Sequence, residues 1–421
     1  MSVRSHGWIV VLAVVSLLFG SQARGQGIVI PGAGPINRSM AGTGVAAPLD
    51  VAGALYNNPA QITGLQSSEF VMGLDFLQVS THLASSFMAG PIGETRSDSG
   101  VAALPTMAVA FQSDDSPVTL GVGLFSIGGF GVNYPETPTN PILTTPDGVG
   151  PIFSRLNVYQ VLAAAAMKLT DRLSIGFSPT VVISEAALDP DIFATPAAGA
   201  YPAATHARPH WGLGFHAGIY YEMNSHWRFG ASYKSPQWIE DFSFFSSSPT
   251  PELSLAADYP GIISLGSSYS GIPNTVIAVD LRYVDYENAD LFGDPTGYDG
   301  TGAATGLGWK SVFAISTGAQ YRVNDCLSLR AGYLFNENPI ADEDAFFNVA
   351  SSAVYQHMIA MGASWQINCR TGLNIAYLRA LHNSIEGPWR PAATGGAPVP
   401  FSLVKSRQWV DALVIGLQVK F

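Results

Sequence analysis

The sequence predicts an all-β protein: a 14-stranded antiparallel transmembrane β-barrel plugged by an N-terminal hatch. Three observations carry this expectation. The chain is 47% hydrophobic and only 12% charged, yet it holds 44 Gly and 28 Pro, a mixture that works against long helices. From Glu69 onward it divides into fourteen strand-like runs whose connections alternate between short and long, the pattern of tight periplasmic turns and extended external loops. Its last run is amphipathic and stops at Phe421.

Taken in order, residues 1–25 have the form of a Sec-type signal peptide. Arg4 and His6 precede the apolar run Trp8 to Phe19, and Ser21-Gln22-Ala23 or Ala23-Arg24-Gly25 offers a cleavage site. The apolar run is too short for a comfortable spanning helix, and no Cys follows it that could carry a lipid anchor. Without residues 1–25 the chain keeps 18 basic residues against 31 acidic ones, a formal charge of −13. Such a chain is a poor nucleic-acid binder. No later window of about 18 residues stays free of charges and turn residues, so spanning helices are not expected.

Residues 26–68 form the expected hatch and residues 69–421 the barrel. The stretch Ile36 to Leu65, INRSMAGTGVAAPLDVAGALYNNPAQITGL, carries only Arg38 and Asp50 as charges. Gly42, Gly44 and Gly53 allow close backbone approach, and Pro59 biases Asn58 away from the α region, so Asn57-Asn58-Pro59 reads as a corner. A plug inside a narrow barrel needs small residues of this kind.

The runs begin near residues 69, 101, 118, 155, 173, 211, 227, 261, 275, 311, 327, 353, 371 and 408. Short connections such as Thr170 to Arg172 and Val323 to Cys326 follow the even-numbered runs, and long ones such as 127–154 and 235–260 follow the odd. In the sixth run Trp211, Leu213, Phe215, Ile219 and Tyr221 share a face suited to lipid, while Gly212, Gly214, His216, Gly218 and Glu222 share one suited to a lumen. In the last, Trp409, Leu413, Ile415, Leu417, Val419 and Phe421 face one way, and pairing with the first run would remove the sheet edges.

Ser39, Ala41, Gly42 and Gly44, followed by Asn58-Pro59-Ala60, resemble the N-terminal hatch of the FadL-type outer-membrane transporters of long-chain fatty acids and hydrocarbons. Phe125 to Pro135, FSIGGFGVNYP, is similar to their Gly-rich third strand. Ala278-Val279-Asp280 with Tyr283 and Tyr286 looks like their ninth strand, and Gly308-Trp309-Lys310, Leu329 to Tyr333, Asn338-Pro339-Ile340 and Phe347-Asn348 look like the aromatic-hydrocarbon, TodX-like branch. The loops around 184–210 and 235–260 do not match residue by residue.

The resemblance implies passive uptake of a hydrophobic compound across the bacterial outer membrane. Capture would occur in an external groove, followed by binding against the hatch (Gly42, Gly44, Asn58, Pro59, Ala60) and passive release once the hatch shifts, with exit open between the periplasm and a lateral route where Gly128, Gly129 and Gly131 kink the third strand. Leu188, Ile192, Phe193, Trp238, Ile239, Phe242, Phe244 and Phe245 are the groove candidates, an apolar concentration unusual for external loops. Arg282 and Arg330 have lumen parity and could meet a carboxylate or pair with lumen acids such as Asp280. The expected partners are the apolar substrate, outer-membrane lipid and lipopolysaccharide, and the barrel-assembly machinery through Phe421, for a monomer. A non-transporting barrel, adhesive or structural, is the alternative.

No nucleophile elbow, phosphate loop or H-E-x-x-H is present, so neither an enzyme nor a cofactor is expected. His206 and His210, like Glu185, Asp189 and Asp191, read as surface loop residues and not as metal ligands. Cys326 and Cys369 lie at the periplasmic base of one hairpin, where a disulfide and two free thiols are both open.

Overall fold

The computed structural model describes residues 27–113, 115–145, 148–205, 208–244 and 253–421; the expected signal peptide, His206 and Phe245 lie outside the described residues. Fourteen strands among them close into one antiparallel ring. They are β1 (Glu69–Ser86), β2 (Val101–Phe111), β3 (Val118–Tyr134), β4 (Ile152–Lys168), β5 (Leu173–Asp189), β6 (His210–Glu222) and β7 (Trp227–Lys234). The second half adds β8 (Gly261–Tyr269), β9 (Thr275–Asp285), β10 (Val312–Arg322), β11 (Leu327–Asn336), β12 (His357–Gln366), β13 (Thr371–Gly387) and β14 (Leu403–Lys420). β14 returns to β1 in unbroken register from Glu69↔Lys420 to Ser86↔Leu403, so the ring has no edge between these strands.

Period-2 alternation decides the two faces. Trp211, Leu213, Ile219, Ile359, Met361 and Trp365 are exposed on the outer wall, whereas His216, Ser232, Asp280, Arg282, Arg330 and Gln418 are buried inside. Among the described residues no helix is long and apolar enough to cross a membrane, and the strands do the crossing.

Two strand starts differ from the sequence reading. The twelfth begins at His357, not near 353, because Gln408 Oε1 accepts from the Val354 amide and Asn383 Nδ2 donates to the Val354 carbonyl, taking that backbone out of the ladder. The last begins at Leu403, not Gln408. Lys405 and Arg407 interrupt the apolar alternation there, but they pair with Glu386 and Glu94, each at 2.7 Å, on the outer wall.

Residues 27–65 sit within the ring. A short α1 (Gly34–Ser39) with Pro35 in its first turn leads to α2 (Val51–Asn57), then to a 3₁₀ turn at Pro59–Gly64. Asp50 caps α2 by accepting from the Gly53 amide at 3.3 Å, and Asn58 caps the 3₁₀ turn by accepting from the Ala60 amide at 3.1 Å. The barrel wall is cut to fit this plug with glycines on separate strands. A Cβ at Gly176, Gly218, Gly230 or Gly332 would collide with Ala60, Asn58, Val45 or Met40, so only glycine permits the approach.

Candidate functional site

The hatch is bolted to the wall through polar groups. Asp280 Oδ2 accepts from the amides of Gly44 at 2.6 Å and Val45 at 3.0 Å. Arg282, 3.9 Å from that carboxylate, donates to the Gly42 carbonyl and to Asn57 Oδ1 at 2.8 Å. Asn58 Nδ2 bridges the carbonyls of Val45 at 3.0 Å and Ile219 at 2.9 Å, so the corner residue joins hatch to β6. Arg38 pairs with Asp75 of β1 at 2.9 Å, both nearly fully buried, and also donates to the Pro31 carbonyl. Arg330, the second lumen cation expected from strand parity, holds Gln320 and Ser364, each at 2.7 Å, and lines a cavity of about 790 Å³ beneath the hatch.

The third strand carries a discontinuity. β2 and β3 pair only from Thr106↔Phe125 to Phe111↔Leu120, whereas β3 and β4 remain paired to Tyr134↔Ile152, with a bulge between Ser126 and Gly128. Beyond Phe125, therefore, β3 has lost its β2 neighbour. The N-terminal segment takes part of that place: the Ile30 amide donates to the Ile127 carbonyl at 3.0 Å and the Gly129 amide to the Ile28 carbonyl at 3.2 Å. Gly128 is where this happens, since a Cβ there would meet Tyr259 and the Ile28 carbonyl. Tyr259 donates to the Ile127 carbonyl at 3.0 Å, and Tyr286 accepts from the Ile28 amide at 2.9 Å. The wall discontinuity, the N-terminal segment and the external loops thus meet at one point.

Above this point the external loops enclose a cavity of about 700 Å³. Leu188, Ile192, Phe193 and Phe242 line it, four of the eight residues expected from sequence. Trp238 does not: with Ile239 it adds two residues to the wall beside β6, and strand parity turns its side chain outward, 53% exposed. Ile239 and Phe244 pack in the loop core beneath. Sequence reasoning missed Phe130, Tyr298, Phe346, Phe347 and Trp389, which complete the lining from β3 and from other loops. Phe347-Asn348 and Gly308-Trp309-Lys310 were visible as motifs, and the structure explains their pairing: Trp309 Nε1 donates to Asn348 Oδ1 at 2.6 Å and clamps the two loops.

A second, inner cavity of about 80 Å³ lies against Gly27 to Pro31, Arg38, Leu77, Gly129, Tyr355 and Met358. Phe130 lines both cavities.

Cys326 and Cys369 are free and exposed; the Gln366 amide donates to the Cys326 carbonyl, which places Cys369 three residues further on, in the turn, and not across from Cys326. Two minor expectations, those for His210 and Asp191, need correction. His210 is buried, not a surface residue, and its ring bonds Ser243. Asp191 is buried too: it accepts from the Phe193 amide at 3.1 Å, shaping the groove loop, and burial pushes its carboxyl up to about 6. Among the described residues no group of His, Cys, Asp and Glu is placed to hold a metal ion.

The profile of the family described as "Outer membrane protein transport protein (OMPP1/FadL/TodX)" matches residues 16–421. The long-chain fatty acid transport protein of Escherichia coli K12 is 22% identical over 208 residues, 44% of this chain and 46% of that protein. The chain thus spans about half the length of the curated relatives it matches. Among solved structures, a Pseudomonas aeruginosa FadL homologue superposes with a TM-score of 0.72 at 13% identity, covering 94% of this chain and 100% of that one. The Pseudomonas putida toluene transporter TodX gives 0.67 at 19% identity, and the Ralstonia pickettii toluene transporter TbuX 0.68 at 20%, each covering 93% of this chain and 99% of its own. At these identities the likeness is one of fold.

Proposed function

Since this chain belongs to the outer membrane protein transport protein (OMPP1/FadL/TodX) family, we propose that it is an outer-membrane channel for the passive uptake of hydrophobic compounds, long-chain fatty acids or aromatic hydrocarbons. The observation that carries the reading is the sequence of two apolar cavities that share Phe130 at the discontinuity in β3. An apolar molecule forfeits about 0.8 kcal/mol per CH₂ whenever it re-enters water, so a path for it must be a chain of apolar sites. The loop cavity captures, and the inner cavity receives.

The inner cavity is too small at rest for a substrate. At about 80 Å³ it is smaller than the roughly 150 Å³ void known to accept benzene, so a substrate reaches it only when residues 27–31 move. That segment is paired to β3 where β2 has left, and its displacement opens the wall toward the lipid. Asn58, Pro59 and the glycine-seated hatch close the way straight down, which favours lateral release. Arg38 lines the inner cavity but is committed to Asp75, and Arg282 is committed to the hatch, an arrangement that suits an uncharged hydrocarbon better than a carboxylate.

Uptake of labelled toluene and of labelled oleate, in cells lacking such a channel and with or without this protein, tests the reading. Faster toluene uptake is expected. Equal uptake of both compounds in both strains would refute transport and leave a non-transporting barrel.

A further inference from the structure

Among the described residues, a group of exposed apolar side chains on the external loops does not line the groove. Phe87, Met88 and Ile92, just past the end of β1, and Phe401, just before β14, are 40%, 67%, 66% and 83% exposed. The Ala89 amide donates to the Phe401 carbonyl at 2.7 Å, so the two loops form one surface. Met88, Ala89 and Phe401 hold positive φ angles of 46°, 59° and 57°, which side-chain-bearing residues adopt at a cost. Glycine would relieve that strain, yet Met88 and Phe401 are large and apolar.

Lipid does not cover this surface. An 18-residue strand rises about 60 Å along its own axis, roughly 45 Å of height at the usual tilt, against an apolar band of about 25 Å. The outer wall records the same limit. Trp409 stacks on His82, and beyond Trp409 come the pairs His82–Glu94, Arg407–Glu94 and Lys405–Glu386, a charged belt that belongs in water. The apolar patch stands outside that belt.

It is nevertheless continuous with the groove. The Phe87 ring lies 5.0 Å from that of Trp389, Trp389 6.0 Å from Phe346, Phe346 5.8 Å from Phe347, and Phe347 5.4 Å from Tyr298. The last four line the groove. A file of aromatic rings therefore runs from the exposed patch into the cavity.

We propose that Phe87, Met88, Ile92 and Phe401 form a first-contact site that binds uncharged apolar molecules from the aqueous side and passes them along this file of rings into the groove. The inference rests on the groove's role in uptake, and its test separates the two. Met88→Ser, Ile92→Ser and Phe401→Ser are combined in the full-length protein, with correct assembly checked by heat-modifiable mobility, and initial rates of labelled toluene uptake are measured against concentration. Loss of the patch raises the half-saturating concentration about 3–10-fold and leaves the maximal rate unchanged. Trp389→Ala, inside the groove, lowers uptake at every concentration. An unchanged half-saturating concentration in the triple variant, with Trp389→Ala impaired, overturns the first-contact site alone; no effect of either overturns the groove's role. A wild-type dimer that the triple variant converts to monomer in sedimentation would make the patch a contact between copies of this chain and overturn the proposal. Phe401→Gly, which relieves the backbone strain while removing the ring, guards against misfolding and is expected to weaken uptake in the same direction.

Discussion

Replacing Asp280 with Ala should unseat the hatch without dissolving the barrel. Asp280 Oδ2 receives two amide hydrogens, from Gly44 at 2.6 Å and Val45 at 3.0 Å, in a fully buried setting. Hydrogen bonds to a charged acceptor contribute about 1.5–3 kcal/mol each, so their joint loss costs roughly 3–6 kcal/mol. Arg282, 3.9 Å away, would also lose its acidic neighbour and favour the unseated state further. At 1.4 kcal/mol per tenfold, the ratio of seated to unseated hatch should fall about 10²–10⁴-fold. The strand ladders do not involve this side chain, so the variant should assemble and keep heat-modifiable mobility. Conductance across planar bilayers is the assay. Frequent large openings are expected from Asp280→Ala, and fewer from Asp280→Asn, whose amide oxygen can still accept both hydrogens, though without the charge. An assembled Asp280→Ala protein as silent as wild type would refute the view that this carboxylate holds the hatch.

Three other outcomes follow from the same geometry. Phe130→Ala, which trims a ring that lines both cavities, should raise uptake of hydrocarbons bulkier than toluene severalfold, read as initial rates; unchanged selectivity would mean that Phe130 does not limit passage between them. Burial, with the Glu69 charge adding to it, pushes the Asp50 carboxyl up to about 7. Its folded pKa lies above the unfolded value, so the seated hatch holds a proton that the unfolded chain releases, and hatch stability falls as pH rises from about 4 to about 7, by an order of 4 kcal/mol. Asp50→Asn keeps a capping side chain and should abolish that dependence, with hydrogen exchange of residues 51–57 at pH 4 and pH 8 as the measure. Cys326 and Cys369 should both react with maleimide in the absence of reductant, and protection of both would restore the disulfide.

Strand number, strand order and barrel closure were legible in the sequence because the signals behind them are local. A period of two shows in any ten residues, and short turns such as Thr170 to Arg172 announce themselves by composition. His216 and Arg282 were assigned to the lumen by parity alone, and parity is fixed once a strand is recognised. The hatch was legible for a similar reason: its glycines and the Asn58-Pro59 corner form a short run unlike any strand.

The site was only partly legible, because its residues meet across distances that no local pattern records. Trp238 has the composition of a groove residue, yet its place beside Leu213 turns it outward. Phe130 comes from β3 and Phe346 and Trp389 from two different external loops, and their convergence depends on how those loops fold over the ring. Gly176, Gly218, Gly230 and Gly332 read as gaps in four separate strands until the hatch is seen pressing against them. Sequence alone determined that a barrel would form around an N-terminal plug, since alternation and turn chemistry act between near neighbours. Which wall positions must be glycine, where β3 parts from β2 and which rings build the path were decided by tertiary structure, where register and packing join residues more than a hundred positions apart.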